Sequence, residues 1–188
     1  MTTLESIRAR KSVRKYLDKP VETEKIKAVV VAGNMAASTP MAGKVYFNVI
    51  SNKNLLAQIA SGTKAVMAKS GMPMLEKIAA NDAYNPVYGA PVAVVVSVDP
   101  AKDPNTQGMS RANAACAGEN MLLAATELGL GSCYLESPTM AFAIPAVREA
   151  TKLPEGAQPA AIIVFGYTDD TAPHAPRPEN PENIVYID

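Results

Sequence analysis

Histidine and cysteine are scarce in this 188-residue chain, which holds one histidine, His174, and two cysteines, Cys116 and Cys133. A zinc site of the Cys/His type cannot be assembled within one chain from so few ligands. A Ser-His-Asp triad would have to draw on His174, in a proline-rich tail with no rigid element beneath it. There is no C-x-x-C, which excludes a thioredoxin-like redox motif. Net charge is missing too, because 18 Lys and Arg balance 18 Asp and Glu. Without a basic field, neither nucleic acid nor a membrane surface is an expected partner. No apolar run approaches the roughly 20 residues that span a bilayer, and residues 1–15 are charged, without the apolar stretch of a signal peptide. These features predict a cytoplasmic protein whose two cysteines stay unpaired in a reducing compartment. An enzyme of this composition takes its chemistry from something bound to it.

What is present is a core. Apolar residues make up 48% of the chain, enough for a single domain of this length. Thr2 and Glu5 have capping-box spacing before a short helix whose apolar stripe is Leu4 and Ile7. Thr23 is placed to cap a second helix, with Ile26, Val29, Val30 and Gly33 on one face. A loop of small residues, Ala36 to Gly43, separates it from a strand over 45–50. A helix is predicted from Asn52 or Asn54 to about Lys69, and a shorter one follows the break at Met72-Pro73. The valine-rich run from Pro91 to Val98 reads as a strand buried on both faces. The longest helical signal, Ser110 to Leu128, is rich in small residues (Ala112, Ala114, Ala115, Ala117, Gly118) that admit a close neighbour, and Gly129 and Gly131 stop it. Short strands are predicted near 132–136 and 160–165, with a helix at 140–152 broken or restarted at Pro145. Beyond residue 168 the prolines exclude regular structure, yet Ile184 to Ile187 is apolar. The stretch 168–188 therefore reads as an extended arm that packs on its own body or on a partner. Strands separated by helices predict an α/β or α+β sheet covered by helices.

Six of the 18 cations fall in the first nineteen residues: Arg8, Arg10, Lys11, Arg14, Lys15 and Lys19. Such a run is either a solvated helix face or an anion site. In an extended stretch Arg10, Ser12 and Arg14 point to one side, and two guanidiniums with a hydroxyl can grip a phosphate in forked geometry. Gly129-Leu130-Gly131 is not a dinucleotide fingerprint, because it follows a helix and lacks the third glycine. Arg177 is a spacer between prolines, or a further phosphate ligand if the arm folds back. Cys116 and Cys133 read as small hydrophobes.

Several of these segments together resemble one family. Arg10-Lys11-Ser12-Val13-Arg14-Lys15-Tyr16 is similar to the R-x-S-x-R-x-F/Y opening of the nitroreductase family of flavin mononucleotide (FMN) enzymes. Ala36-Ala37-Ser38 resembles that family's A-P-S loop, and Gly89-Ala90-Pro91 resembles its A-P-hydrophobic pattern. Glu119 to Ala125 followed by Leu128 to Cys133, then Phe165-Gly166-Tyr167 and Pro176-Arg177-Pro178, are similar in the same order. The likeness spans essentially the whole chain. It implies an α+β fold with a central mixed sheet covered by helices, as one FMN-binding domain over 1–188 within an intertwined homodimer. It further implies hydride transfer from NAD(P)H through the flavin to a nitroaromatic, quinone or similar acceptor. A second reading is a flavin-binding member with altered or lost turnover. By position, Arg10, Ser12 and Arg14, with Lys11 beside them, would hold the flavin's phosphate and pyrimidine edge, and Arg177 would add a phosphate contact. The turn at Glu136 and Ser137 would offer a backbone N–H to the flavin N5. Ala37, Ser38, Thr39 and Met41 would come from the other subunit to cover the ring. Met41, Gly43 and Val45 stand where the family's loop carries asparagine, glutamine and tryptophan, so the substrate face is the least family-like part of the chain.

Overall fold

The valine-rich run predicted to be a buried strand is the centre of the molecule. In the computed structural model, which describes residues 1–100, 106–170, 172 and 184–187, β2 (Val92–Val98) is buried at every position. It belongs to a four-stranded sheet of order β1-β2-β4-β3, with β1 at Val45–Ile50, β3 at Gly131–Leu135 and β4 at Gln158–Gly166. Alternate residues of the central strands feed two cores. Ala93, Val95, Ile162 and Val164 pack against Leu56 and Ile59 of α3 (Lys53–Met67), with Val147 of α6 (Pro145–Ala150) in the same cluster. Val92, Val94, Val96, Ile163 and Phe165 pack on the other face, against Val29 of α2 (Thr23–Asn34) and Met121, Leu122 and Ala125 of α5 (Gln107–Glu127). The result is an α+β sandwich with helices on both faces of one sheet.

The expected mixed sheet needs a correction in detail. All three pairings of the named strands are antiparallel. The parallel element is a single bridge, Ser12 to Ser132, at the β3 edge. β2 and β3 do run the same way, joined across α5, but β4 inserts between them and pairs antiparallel with both. Two helices, α3 and α4 (Pro73–Ala79), lie between β1 and β2, and a helix pair returns the chain to run back along its own strand.

Local details follow the sequence with some shifts. The capping box at Thr2 and Glu5 forms around α1 (Thr3–Ala9). Leu4 and Ile7 are nevertheless solvent-facing, at 64% and 50% exposure, so the stripe finds no cover among the described residues. Thr23 is the first residue of α2 and not its cap. Glu22 takes the cap position without a side-chain bond. Asn52 does cap α3, its Oδ1 accepting the Leu55 N–H at 3.1 Å. Pro145 opens α6 after a 3-10 helix over Ser137–Ala143, so the expected break at Pro145 is a restart. Gly33 allows α2 to approach α5 closely, since a Cβ there would sit 2.8 Å from Met121 Cγ. Among the described residues no helix is long and apolar enough to cross a membrane.

Candidate functional site

The basic segment after α1 runs extended along the free edge of β3. The Val13 N–H donates to the Ser132 carbonyl at 2.9 Å, and the Leu17 N–H donates to the Tyr167 carbonyl at 2.8 Å. With the backbone pinned at both ends, period-2 alternation sorts the side chains. Val13 turns inward and is 2% exposed. Lys11 and Lys15 are neutralised by carboxylates just beyond β4. Lys11 Nζ lies 2.7 Å from Asp170 and also donates to the Ala172 carbonyl, while Lys15 Nζ lies 3.0 Å from Asp169.

Arg10, Ser12 and Arg14 gather instead around Cys133. Burial pushes the Cys133 thiol up from its ordinary value, against the opposing pull of the Arg14 charge, a Ser12 hydrogen bond and the Arg10 charge. Arg10 makes a 3.5 Å contact with exposed Glu119. Among the described residues Arg14 pairs with no carboxylate. Its guanidinium stands 5.9 Å from the centre of the Tyr88 ring. On the opposite face of β3, toward Lys11 and Val13, the Ser132 hydroxyl is buried and has no hydrogen-bond partner among the described residues. Extended backbone has thus divided a run of like charges into a neutralised side and an open side.

Tyr16 closes the segment. Its hydroxyl donates to the Val13 carbonyl at 2.8 Å. Burial, with the Cys133 and Tyr88 side chains adding and Arg14 opposing, holds its pKa far above the ordinary 10.0. A raised pKa means that the folded state disfavours the phenolate. The stability this provides is complete below about pH 10 and is lost as pH rises past it. Tyr16→Phe removes that titration. The variant is expected to lose about 1 kcal/mol at neutral pH for the missing hydrogen bond. Its Tm should then fall less steeply than that of the unaltered chain between pH 9 and 11; parallel curves would show that Tyr16 does not govern the alkaline limb.

The other expected residues divide between two places. Glu136 and Ser137 follow directly on β3, where the Glu136 carbonyl accepts the Thr139 N–H at 2.9 Å to start the 3-10 helix. Ser137 Oγ lies 3.5 Å from the Tyr84 hydroxyl. Ala37, Ser38, Thr39 and Met41 lie beyond the opposite edge, in the loop before β1. There Asn113 of α5 grips Thr39 reciprocally, accepting its N–H at 3.0 Å and donating to its carbonyl at 3.2 Å. Ser38 lines a cavity of about 490 Å³ with Gly33, Phe47 and Ala117, and Met41 is 75% exposed. β1 and β3 are the two edges of a four-stranded sheet, about 14 Å apart at the usual strand spacing. One chain therefore brings Arg10, Ser12 and Arg14 together, leaves Lys11 turned to Asp170, and keeps the 37–41 loop at the far edge. Arg177 lies outside the described residues. Tyr84 and Tyr88 were not legible as site residues, because the turn-forming signals of 81–89 mask them; the local hint was an aromatic residue directly before Gly89.

A helix-covered sheet of this kind defines a fold that known proteins share. The sequence pattern of the nitroreductase family matches residues 7–167, and the chain belongs to that family. A crystallised nitroreductase with bound FMN from Bacteroides fragilis is 30% identical, with a TM-score of 0.88 over 99% of this chain and 98% of its own. A protein of Methanothermobacter thermautotrophicus, provisionally named an NADH dehydrogenase/NAD(P)H nitroreductase, is 29% identical over 168 residues, covering 89% of this chain and 78% of the relative. A nitroreductase with bound FMN from Desulfitobacterium hafniense, 24% identical with a TM-score of 0.83 over 99% and 98% of the two chains, shares the fold.

Proposed function

We propose that this chain is an FMN-dependent oxidoreductase that draws hydride from NADH or NADPH and reduces a small organic acceptor, such as a nitroaromatic or a quinone. The observation that carries the reading is the sorting of cations along residues 10–15. Lys11 and Lys15 are neutralised by Asp170 and Asp169, while Arg14 and Ser12 stand open beside Arg10 on the other side. Two guanidiniums and a hydroxyl fit a phosphate and the electron-rich edge of a flavin ring. When bound, FMN would supply hydride acceptance and donation, which no side chain here provides. Arg10 and Arg14 would bind its negative groups, and a cation beside the pyrimidine edge favours the reduced, anionic flavin. Ser12 would donate its hydroxyl, and Glu136 and Ser137 would border the ring from the end of β3. Lys11, its ammonium held by Asp170, would border the phosphate through its backbone only, and Arg177 would add a charge from the arm.

The site is proposed to be completed by a second copy, which would contribute Ala37, Ser38, Thr39 and Met41. Three surfaces support a homodimer. Leu4 and Ile7 of α1 are exposed. α5 leaves Ala112, Ala115 and Cys116 open on the face away from the sheet. Ile184 to Ile187 are between 57% and 91% exposed. The whole of 1–188 is read as one domain with 168–188 as an arm. The arm's first residues support this by binding back, Thr168 Oγ1 donating to the Lys15 carbonyl at 2.9 Å. Two free cysteines favour the cytoplasm.

The test is spectroscopic. Purified protein loaded with FMN is expected to bleach under anaerobic mixing with NADH or NADPH and to recover its colour on addition of an acceptor. A chain that takes up no FMN would sink the reading. Uptake without bleaching by either donor would leave a flavin binder without turnover. Light scattering at micromolar concentration is expected to give twice the chain mass.

A further inference from the structure

We propose that Tyr88 is a positioning residue for Arg14, held in a strained turn, with Tyr84 extending the same aromatic wall to Ser137. This deepens the flavin reading above and rests on it. Tyr88 has a φ of 54°, the left-handed region in which a side chain crowds its own backbone. Gly89 follows at φ 67°, a conformation that costs glycine nothing. The turn does not need a tyrosine to form. The Asn85 carbonyl accepts the Tyr88 N–H at 2.9 Å and the Val87 carbonyl accepts the Ala90 N–H at 3.0 Å. Asn85 Oδ1 accepts the Val87 N–H at 2.9 Å. Glycine at position 88 would make the same backbone bonds without strain.

The ring makes contacts that glycine could not: one side packs on the core cluster that includes Val87 and Cys133, and the rest faces the site. Its centre lies 5.9 Å from the Arg14 guanidinium carbon. It meets the Tyr84 ring edge to face, with centroids 6.5 Å apart and an interplanar angle of 82°. The Tyr84 hydroxyl lies 3.5 Å from Ser137 Oγ, either able to donate. A continuous wall thus runs from Arg14 through Tyr88 and Tyr84 to Ser137, joining two segments far apart in sequence. A cation within about 6 Å of an aromatic face is drawn to it. For an exposed arginine with no carboxylate partner among the described residues, that attraction narrows the conformations to be lost when an anion binds. Backbone strain retained beside a binding group is the mark of a position kept for function.

The experiment is a double-mutant cycle read by FMN fluorescence on full-length protein stripped of flavin. Tyr88→Leu keeps the apolar bulk and the strain but removes the aromatic face. It is expected to weaken FMN binding about two- to fivefold, and Tyr88→Phe is expected to bind as the unaltered chain does. Tyr88→Gly relieves the strain and should show the same loss, with thermal melting of each variant confirming that it is folded at the assay temperature. In an Arg14→Ala background neither Tyr88→Leu nor Tyr88→Gly should cause a further loss. An equal fold-loss in that background, or unaltered affinity in Tyr88→Leu, overturns the role. A parent chain that takes up no FMN would instead remove the flavin reading, and this inference with it.

Discussion

Arg14→Ala is expected to weaken FMN binding about tenfold or more, while Lys15→Ala leaves it within about twofold. A hydrogen bond to a charged group is worth roughly 1.5–3 kcal/mol, and each 1.4 kcal/mol is about a factor of ten in affinity. Arg14 is the cation in the segment whose charge no carboxylate of the described residues offsets, so its full attraction is available to an anion. Lys15 is adjacent in sequence but lies on the opposite side of the extended chain, 74% exposed and 3.0 Å from Asp169. An exposed pair of this kind contributes at most about 1 kcal/mol to stability and is screened by salt. Arg14→Lys is expected to fall between the two, since the ammonium keeps the charge but loses the planar fork and its stacking on Tyr88. Titration of flavin-free protein by FMN fluorescence separates the variants, and thermal melting confirms that each is folded. Equal losses in Arg14→Ala and Lys15→Ala would mean that the alternation of side chains does not sort these charges.

That contrast is legible in the residues themselves because it is local. A strand's period of two is written in consecutive residues, so Arg10, Ser12 and Arg14 group directly. The carboxylates that silence Lys11 and Lys15 cannot be found that way, since Asp170 and Asp169 are 159 and 154 residues distant. The same division runs through the fold. Each strand has a local signal, alternation in β1 and a run of apolar residues in β2 and β4 with a weaker one in β3, and the ends match or shift by one or two residues. Pairing is not, because the insertion of β4 between β2 and β3 is decided by packing across the sheet and leaves no local trace. Strand order in turn puts the 37–41 loop and the basic segment at opposite edges, which the sequence suggests only through family likeness. Leu4 and Ile7 show the converse limit. Their spacing identifies an apolar stripe but not what covers it, and among the described residues nothing does. Tyr88 carries only the faint signal of an aromatic residue directly before Gly89, since a positive φ on a non-glycine residue is imposed by its surroundings.

Phe165→Ala is expected to lower stability by about 3–5 kcal/mol, the usual cost of truncating a buried phenylalanine, and to lower Tm by roughly 6–20 °C. Phe165 is fully buried on a strand paired on both sides, opposite Val92 of β2 and Ser132 of β3. Its ring lies in the cluster with Val29, Met121 and Leu122. Collapse into the vacated space would require α2 and α5 to shift together, and their close contact at Gly33 resists that. Val49→Ala is the matched control, on edge strand β1 and 44% exposed, with an expected cost below about 1 kcal/mol. The loss in Phe165→Ala should be global and not local. Cys133, around which Arg10, Ser12 and Arg14 gather, belongs to the cluster on the other face of the sheet. Well below its Tm, Phe165→Ala should therefore keep FMN affinity within a few-fold of the unaltered chain. A tenfold loss of affinity at a temperature where the variant is fully folded would show that the two faces are coupled through β4, and the cation cluster would then depend on the packing of α2 and α5 as well as on its own strand edge.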